Sequence, residues 1–191
     1  MQLSAMSGLE TEIRPDLAAL SDFEALVRLY RPRIFRFALA SLGDVDAAET
    51  VTQDCFLRAY QAREQFREEC SLHTWLMRIA LNLIRDRARN RRLQFWRRAS
   101  LMARPLDVAG HAIRDHGRSP EAQALLQERI AAIWSAAERL PEKQRTVFLL
   151  RFVEDMDLME IAVATGMKEG TVKTHLFRAL RAVRERIGET E

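Results

Sequence analysis

Cysteine, lysine, glycine and proline are all scarce in this chain, and each scarcity excludes something. Two cysteines in 191 residues, Cys55 and Cys70, cannot build a disulfide framework or a four-cysteine zinc site. They suit a reducing cytoplasm. No run approaches the ~20 uninterrupted apolar residues of a membrane span. The opening MQLSAMSGLETEIRPD is polar and carries acids, unlike a secretory signal. There is no glycine-rich phosphate loop and no nucleophile elbow. Only seven glycines and five prolines occur. The long intervals between them carry helical rather than alternating periodicity, so the chain reads as all-α.

Of the 30 basic residues only Lys143, Lys168 and Lys173 are lysines. Arginine forks phosphates bidentately and stacks on bases, which points to nucleic acid. A GC-rich coding bias accounts for the composition equally well. With a net charge of +3, the distribution of charge says more than its sum.

The first apolar stripe comprises Phe23, Leu26, Val27, Tyr30, Ile34, Phe37 and Ala38. Ser21 is placed to cap it, with Glu24 three residues on. Pro32 is expected to kink or interrupt it, and Gly43-Asp44 breaks the chain. A second block, from Asp46 to about Phe66, has Val51, Phe56, Leu57 and Tyr60 at helical spacing. A third starts near Leu72 and runs through Trp75, Leu76, Ile79, Ala80, Leu83 and Ile84.

Residues 99–120 hold Pro105, Gly110, Gly117 and Pro120 with little periodicity, and read as a tether. Helical pattern resumes through Leu125, Leu126, Ile130, Ile133 and Trp134, and Leu140-Pro141-Glu142 separates that helix from the next. The expected architecture is two small helical domains, 21–98 and 121–191, behind an N-terminal extension of residues 1–20.

Between Arg85 and Arg98 seven arginines face one acid, Asp86, a local charge of +6 interrupted by Phe95 and Trp96. Arginines supply phosphate affinity and aromatics stack on exposed bases. One or two cations would suit an ordinary helix C-terminus; seven favour phosphate binding. The opposite field precedes it. Asp44, Asp46, Glu49, Asp54, Glu64, Glu68 and Glu69 outweigh Arg58, Arg63 and Arg67 by four charges. That face repels DNA, and taken alone it reads first as a solvated surface and second as a protein-docking face.

Residues 157–187 read DLMEIAVATGMKEGTVKTHLFRALRAVRERI. Asp157 and Glu160 form a capping box, with Leu158, Ile161 and Ala162 inward. Gly166 provides a sharp turn. A second helix from about Glu169 buries Val172, Leu176, Ala179, Leu180, Val183 and Ile187. Thr171, Lys173, Thr174, His175, Phe177, Arg178 and Arg181 are left on more exposed faces. Short helix, glycine turn and basic helix make a helix-turn-helix, whose second helix enters the major groove. The alternative is an αα-hairpin with no DNA role.

Three segments, in order, resemble the group 4 (extracytoplasmic-function, ECF) bacterial RNA polymerase sigma factors: DAAETVTQDCFLRAY, FREECSLHTWLMRIALNLIRDRARNRR and LPEKQRTVFLLRFVEDMDLMEIAVATGMKEGTVKTHLFRALRAVRE. The likeness covers about 21–92 and 122–187. It implies a first domain like sigma region 2 and a second like region 4. Asp46, Glu49, Gln53, Asp54 and Arg58 would dock on the β′ clamp helices of core polymerase, and the β flap is a further implied contact. Phe66, Cys70 and Ser71 would pocket a flipped base of the −10 element. Asn82 lies at the matching reading position, and Arg78, Arg85 and Arg89 would hold adjacent backbone. Trp75 reads as a core aromatic beneath that loop. Thr171, Lys173, Thr174, His175, Phe177 and Arg178 would bind the −35 element as duplex.

The resemblance also implies an anti-sigma factor, commonly membrane-anchored, a tether along the RNA-exit path, a cytoplasmic location and no cofactor. Thr50, Cys70, Lys168 and His175 depart from the family pattern, so promoter preference is open at those positions.

Two other classes compete. For an enzyme, the raw material is Cys55, Cys70, His73, His111, His116 and His175. A metal held loosely by His111, His116, Asp107 and Asp115 lacks any recognised ligand spacing. A helix-turn-helix regulator acting without polymerase explains the C-terminal half and leaves the acidic helix and the TWL-arginine segment unexplained.

Overall fold

In the computed structural model, the described residues are 22–67, 69–97 and 120–188. Seven α-helices occur among them, with no strand: α1 (Phe23–Leu42), α2 (Val45–Ala62), α3 (Leu72–Arg97), α4 (Pro120–Glu138), α5 (Glu142–Phe152), α6 (Leu158–Thr165) and α7 (Glu169–Gly188). A single 3-10 turn, Arg63–Gln65, follows α2. The N-terminal extension, Glu68 and the tether from residue 98 to 119, with His111, His116, Asp107 and Asp115, lie outside the described residues.

α1, α2 and α3 pack on one another, and α7 packs on α4, α5 and α6. The expected stripe of α1 holds: Leu26, Ile34, Phe37 and Ala38 are fully buried. Full burial of a Leu, Ile or Phe side chain contributes about 1.5–3 kcal/mol before entropy is subtracted. One local expectation fails outright and a second fails in part. Asp22, not Ser21, caps α1, its carboxylate accepting from the Ala25 N–H at 3.0 Å. Pro32 does not interrupt α1, which runs through it as one helix. Its ring lies on the exposed face, and burial of Leu26 on one side and Ile34 and Phe37 on the other holds the helix together across the lost hydrogen bond.

The break after α1 is as expected. Gly43 closes the helix at φ 63°, where a side chain would be strained, and Asp44 opens α2 by accepting from Ala47 N–H at 2.8 Å. In α2 the small residues Ala47, Ala48, Cys55 and Ala59 line the buried face with Val51 and Phe56. Of the four apolar residues noted at helical spacing, Leu57 and Tyr60 lie off that face and are 57% and 48% exposed. Ile133 of α4 is likewise exposed, and Ala136 and Ala137 are buried in that helix.

Asp157 and Glu160 close the expected capping box of α6, and Gly166 ends that helix at φ 72°. In α7, Val172, Ala179 and Val183 are buried, with Leu176, Leu180 and Ile187 half-buried beside them.

The two helical groups also meet. α3 packs along α6, and α1 touches α5. Arg145 donates across this junction to the Ala40 carbonyl. A crevice of about 240 Å³ remains beside it, lined by Leu42, Leu81, Arg85, Arg145 and Leu149 among others.

Candidate nucleic-acid interface

Ser71 positions α3. Its hydroxyl accepts the Thr74 N–H at 3.1 Å and its carbonyl accepts the Trp75 N–H at 3.0 Å, so it caps the helix. Trp75 is buried, and the half-buried Phe66 ring lies against it with centroids 5.2 Å apart. The segment before α3 is thereby anchored at both ends, by an aromatic contact and by a cap. Cys70 sits between them, half-buried, and burial raises its thiol pKa.

Along α3, Ser71, Arg78, Asn82, Arg85 and Arg89 recur at steps of seven, four, three and four, which keeps them on one face. Ser71, Arg78, Asn82 and Arg89 are exposed, and Arg89 pairs with Asp86 at 3.3 Å. Arg85 is half-buried and donates to the Thr165 carbonyl of α6 at 3.5 Å. α3 continues through Arg91, Arg92, Phe95, Trp96 and Arg97, whose side chains lie outside the described residues, as does Arg98.

On α2, Asp46, Gln53 and Arg58 are exposed, and Glu49 and Asp54 are half-buried. Glu49 is already engaged: Arg31 of α1 donates to its carboxylate at 2.6 Å and Gln53 donates at 3.2 Å. The Arg31 hydrogen bond holds the Glu49 carboxyl below its ordinary pKa. The acidic field is therefore weaker than the sequence arithmetic suggests. Leu57 and Tyr60 continue the face of Asp46 and Gln53 at steps of four and three. Tyr60 packs edge-on against Phe23 and carries the Arg63 guanidinium 4.1 Å over its ring. Helical spacing of apolar residues alone does not tell the buried face of α2 from this exposed one.

On α7, Thr171, Lys173, Thr174, Phe177 and Arg178 are exposed, with Phe177 68% accessible. Lys173 pairs with Glu169 at 2.6 Å. The Lys168 carbonyl receives the Thr171 and Val172 N–H groups, so backbone serves at this helix start. His175 stands apart from the other five: it is half-buried, and its Nδ1 is buried with no hydrogen-bond partner among the described residues.

Groups that sequence reasoning missed lie between the two halves. Glu154, 1% exposed, follows α5. Its carboxylate lies 3.3 Å from Arg33 Nε, 3.6 Å from Arg36 and 3.3 Å from His73 Nε2. Arg33 also donates to the Glu154 carbonyl at 3.1 Å. Glu160 Oε1 accepts from Ser71 and Thr74 hydroxyls at 3.4 and 3.3 Å. His73, one of the histidines weighed for catalysis, stacks on Tyr30 and faces this cluster. Among the described residues no group of three or more His, Cys, Asp or Glu is placed to hold a metal ion. Cys55 is fully buried against the Leu76 carbonyl, and burial pushes its thiol up to about 12, leaving no thiolate for nucleophilic chemistry.

Comparison with known proteins gives a family for each of the two helical groups. Residues 26–94 match the family model for Sigma-70 region 2, and residues 130–183 match that for Sigma-70 region 4. The ECF RNA polymerase sigma factor SigW of Bacillus subtilis is 31% identical over 166 residues, covering 86% of this chain and 88% of that one. The RNA polymerase sigma-H factor of Pseudomonas aeruginosa is 32% identical, with 84% and 83% covered.

The chain belongs to the ECF sigma factors.

Its fold is shared with solved members. The sigma factor RpoE in complex with the anti-sigma factor NepR from Bartonella quintana superimposes with a TM-score of 0.68 at 22% identity, covering 88% of this chain and 98% of that one. CnrH in complex with the cytosolic domain of CnrY gives 0.60 at 20% identity, with 94% of each chain covered. The expected all-α pair of region 2-like and region 4-like domains is thereby borne out. Among the described residues no helix of this ECF sigma factor is long and apolar enough to cross a membrane.

Proposed function

We propose that this chain is an alternative sigma factor that binds core RNA polymerase in the cytoplasm, recognises −35 and −10 promoter elements and promotes DNA opening. The observation that carries the reading is the presence of three separate faces of different chemistry: a mixed acidic and apolar one on α2, an arginine-asparagine one on α3 and a basic one on α7. A regulator that binds duplex DNA alone needs only the last.

The first face takes core polymerase. Asp46, Glu49, Gln53, Asp54 and Arg58 supply charge, and the exposed Leu57 and Tyr60 supply the apolar area that a stable protein contact requires. The second takes the −10 element as single strand. Phe66, Cys70 and Ser71 form the pocket wall, Asn82 reads, and Arg78, Arg85 and Arg89 hold backbone. Flipping a base costs a few kcal/mol, which the pocket and the arginine stripe offset. The third takes the −35 element as duplex, through Thr171, Lys173, Thr174, His175, Phe177 and Arg178. Each DNA contact is weak alone, and the tether joining them raises the effective concentration of the second. No step is covalent, so the chain needs no cofactor and is not an enzyme. The solved relatives bound to NepR and CnrY support an anti-sigma factor as the inhibitory partner here as well.

Co-elution with purified core polymerase on gel filtration tests the first face. Asp54→Arg and Leu57→Glu weaken co-elution, and Lys173→Ala leaves it unchanged. If the unmodified chain does not co-elute with core but still binds duplex, the regulator reading replaces this one.

A further inference from the structure

His175 is half-buried, unlike its neighbours on the exposed faces of α7, and the way it is buried fixes what its ring can offer. Its Nδ1 is sealed from solvent and has no hydrogen-bond partner among the described residues. Its Nε2 has no such partner either, but reaches solvent. A neutral imidazole carries one N–H donor and one bare acceptor nitrogen. In protein interiors an orphaned N–H is the rarer defect, and an under-satisfied acceptor is better tolerated. The proton therefore belongs on Nε2, and the accessible edge of the ring is a donor.

Position on the helix says what that donor meets. At about 100° per residue, Thr174 and Phe177 stand opposite the buried Val172, Ala179 and Val183. In a groove those two would face the floor. His175 lies on the flank between the buried and the outermost faces. Thr171, four residues before it, and Arg178, three after, share that flank. Both are exposed, and neither side chain has a partner among the described residues. Lys173 and Arg181, by contrast, are held by Glu169 at 2.6 Å and by Glu185 at 2.7 Å. The flank is thus a row of three unengaged donors: a hydroxyl, an imidazole N–H and a guanidinium. A helix lying in a major groove turns its flanks to the groove walls, and the walls are phosphate.

We propose that His175 is a donor fixed by its buried Nδ1, and that with Thr171 and Arg178 it grips backbone phosphate beside the −35 element. It is a positioning residue and reads no base. Phosphate contacts of this kind set register and orientation and carry no sequence information directly. The ring suits the task because its inner edge is already held by the protein. A long flexible cation would lose more side-chain freedom on binding. That role rests on the −35 assignment of α7 given above.

The test uses the full chain and the variants His175→Ala, His175→Asn and His175→Gln, each first checked by far-UV circular dichroism. Thr171→Val, at an exposed position, probes the same row without touching the packed ring. Two readouts are taken at pH 8, above the usual imidazole range. Nitrogen-15 spectra of histidine-labelled chain report which ring nitrogen carries the proton, and the signal missing from a His175 variant identifies the residue. Fluorescence anisotropy gives affinity for two labelled duplexes, a random-sequence pool and the tightest-binding sequence selected from it. The Nε2–H form is expected, and the Nδ1–H form overturns the proposal. His175→Ala is expected to weaken both duplexes by the same factor, about tenfold for a hydrogen bond to a charged acceptor. Thr171→Val weakens both alike. His175→Gln, whose amide nitrogen can stand in for Nε2, recovers most of the loss; His175→Asn, whose amide stands in for Nδ1, does not. A loss confined to the selected sequence overturns the phosphate assignment. Unchanged affinity in folded His175→Ala, or recovery by Asn instead of Gln, overturns the donor. If the unmodified chain binds neither duplex, the −35 assignment of α7 fails instead, and the spectra still decide the tautomer.

Discussion

Glu160 and Thr74, 86 positions apart in sequence, are 3.3 Å apart in space, and the carboxylate that receives the Thr74 hydroxyl also completes the capping box of its own helix. One residue thus serves a local and a long-range role, and substitution separates them. Glu160→Gln keeps a hydrogen-bonding N3 side chain and retains the box. Glu160→Ala loses it and costs about 1 kcal/mol, a drop of roughly 2–4 °C in melting temperature for a chain of this size. Differential scanning calorimetry of both variants checks the ordering.

Trp75 is predicted to govern stability and Phe66 to govern strand capture. Trp75→Ala removes a buried indole at a cost of about 3–5 kcal/mol, read as a lower midpoint in urea. Phe66 is only half-buried against that ring, so Phe66→Ala costs less in urea and weakens binding to single-stranded DNA. The single-strand effect is measured by fluorescence anisotropy with a labelled strand.

How much of this was legible beforehand follows from range. The capping box at Asp157 and Glu160 and the left-handed turn at Gly166 were readable because every atom involved lies within a few residues. The cap of α1 lies one position from the expected Ser21 because Ser21 and Asp22 are both good caps, and only the Ala25 N–H decides between them. Leu57 and Tyr60 look like core by composition, yet the α2 core is built from alanines and Cys55, which a search for large apolar residues passes over. Glu154 could not have been found: its partners stand more than 80 positions upstream, and in sequence it is one more acid in a polar turn. The family resemblance implied three binding faces but carried no information on which of their groups are engaged by the other domain.

The cysteines give a chemical test of the packing. Burial raises both thiols, Cys55 to about 12 and Cys70 by a smaller margin. Iodoacetamide at about pH 8, near the free thiol pKa, is expected to add at most one label to the native chain, slowly and at Cys70. A second appears only in denaturant. Peptide mass spectrometry reads both, and native labelling of Cys55 contradicts the burial described.

Lys173 is held by Glu169 at 2.6 Å, so the acid competes with phosphate for the ammonium. Lys173→Ala is predicted to weaken binding of promoter duplex uniformly across sequences and to reduce the slope of log affinity against log salt by about 0.9. Glu169→Ala strengthens binding at low salt, where the competing ion pair matters most. Fluorescence anisotropy across a salt series measures both.

On the proposed function the three faces act together on polymerase. Transcription by purified core polymerase on a pool of genomic fragments, with and without this chain, tests it most directly. Start sites are expected that appear only when the chain is present and share one −35 and one −10 element. Asn82→Ala is also expected to abolish these starts while leaving binding to core intact. Transcripts unaltered by the chain, with duplex binding through α7 preserved, would contradict it.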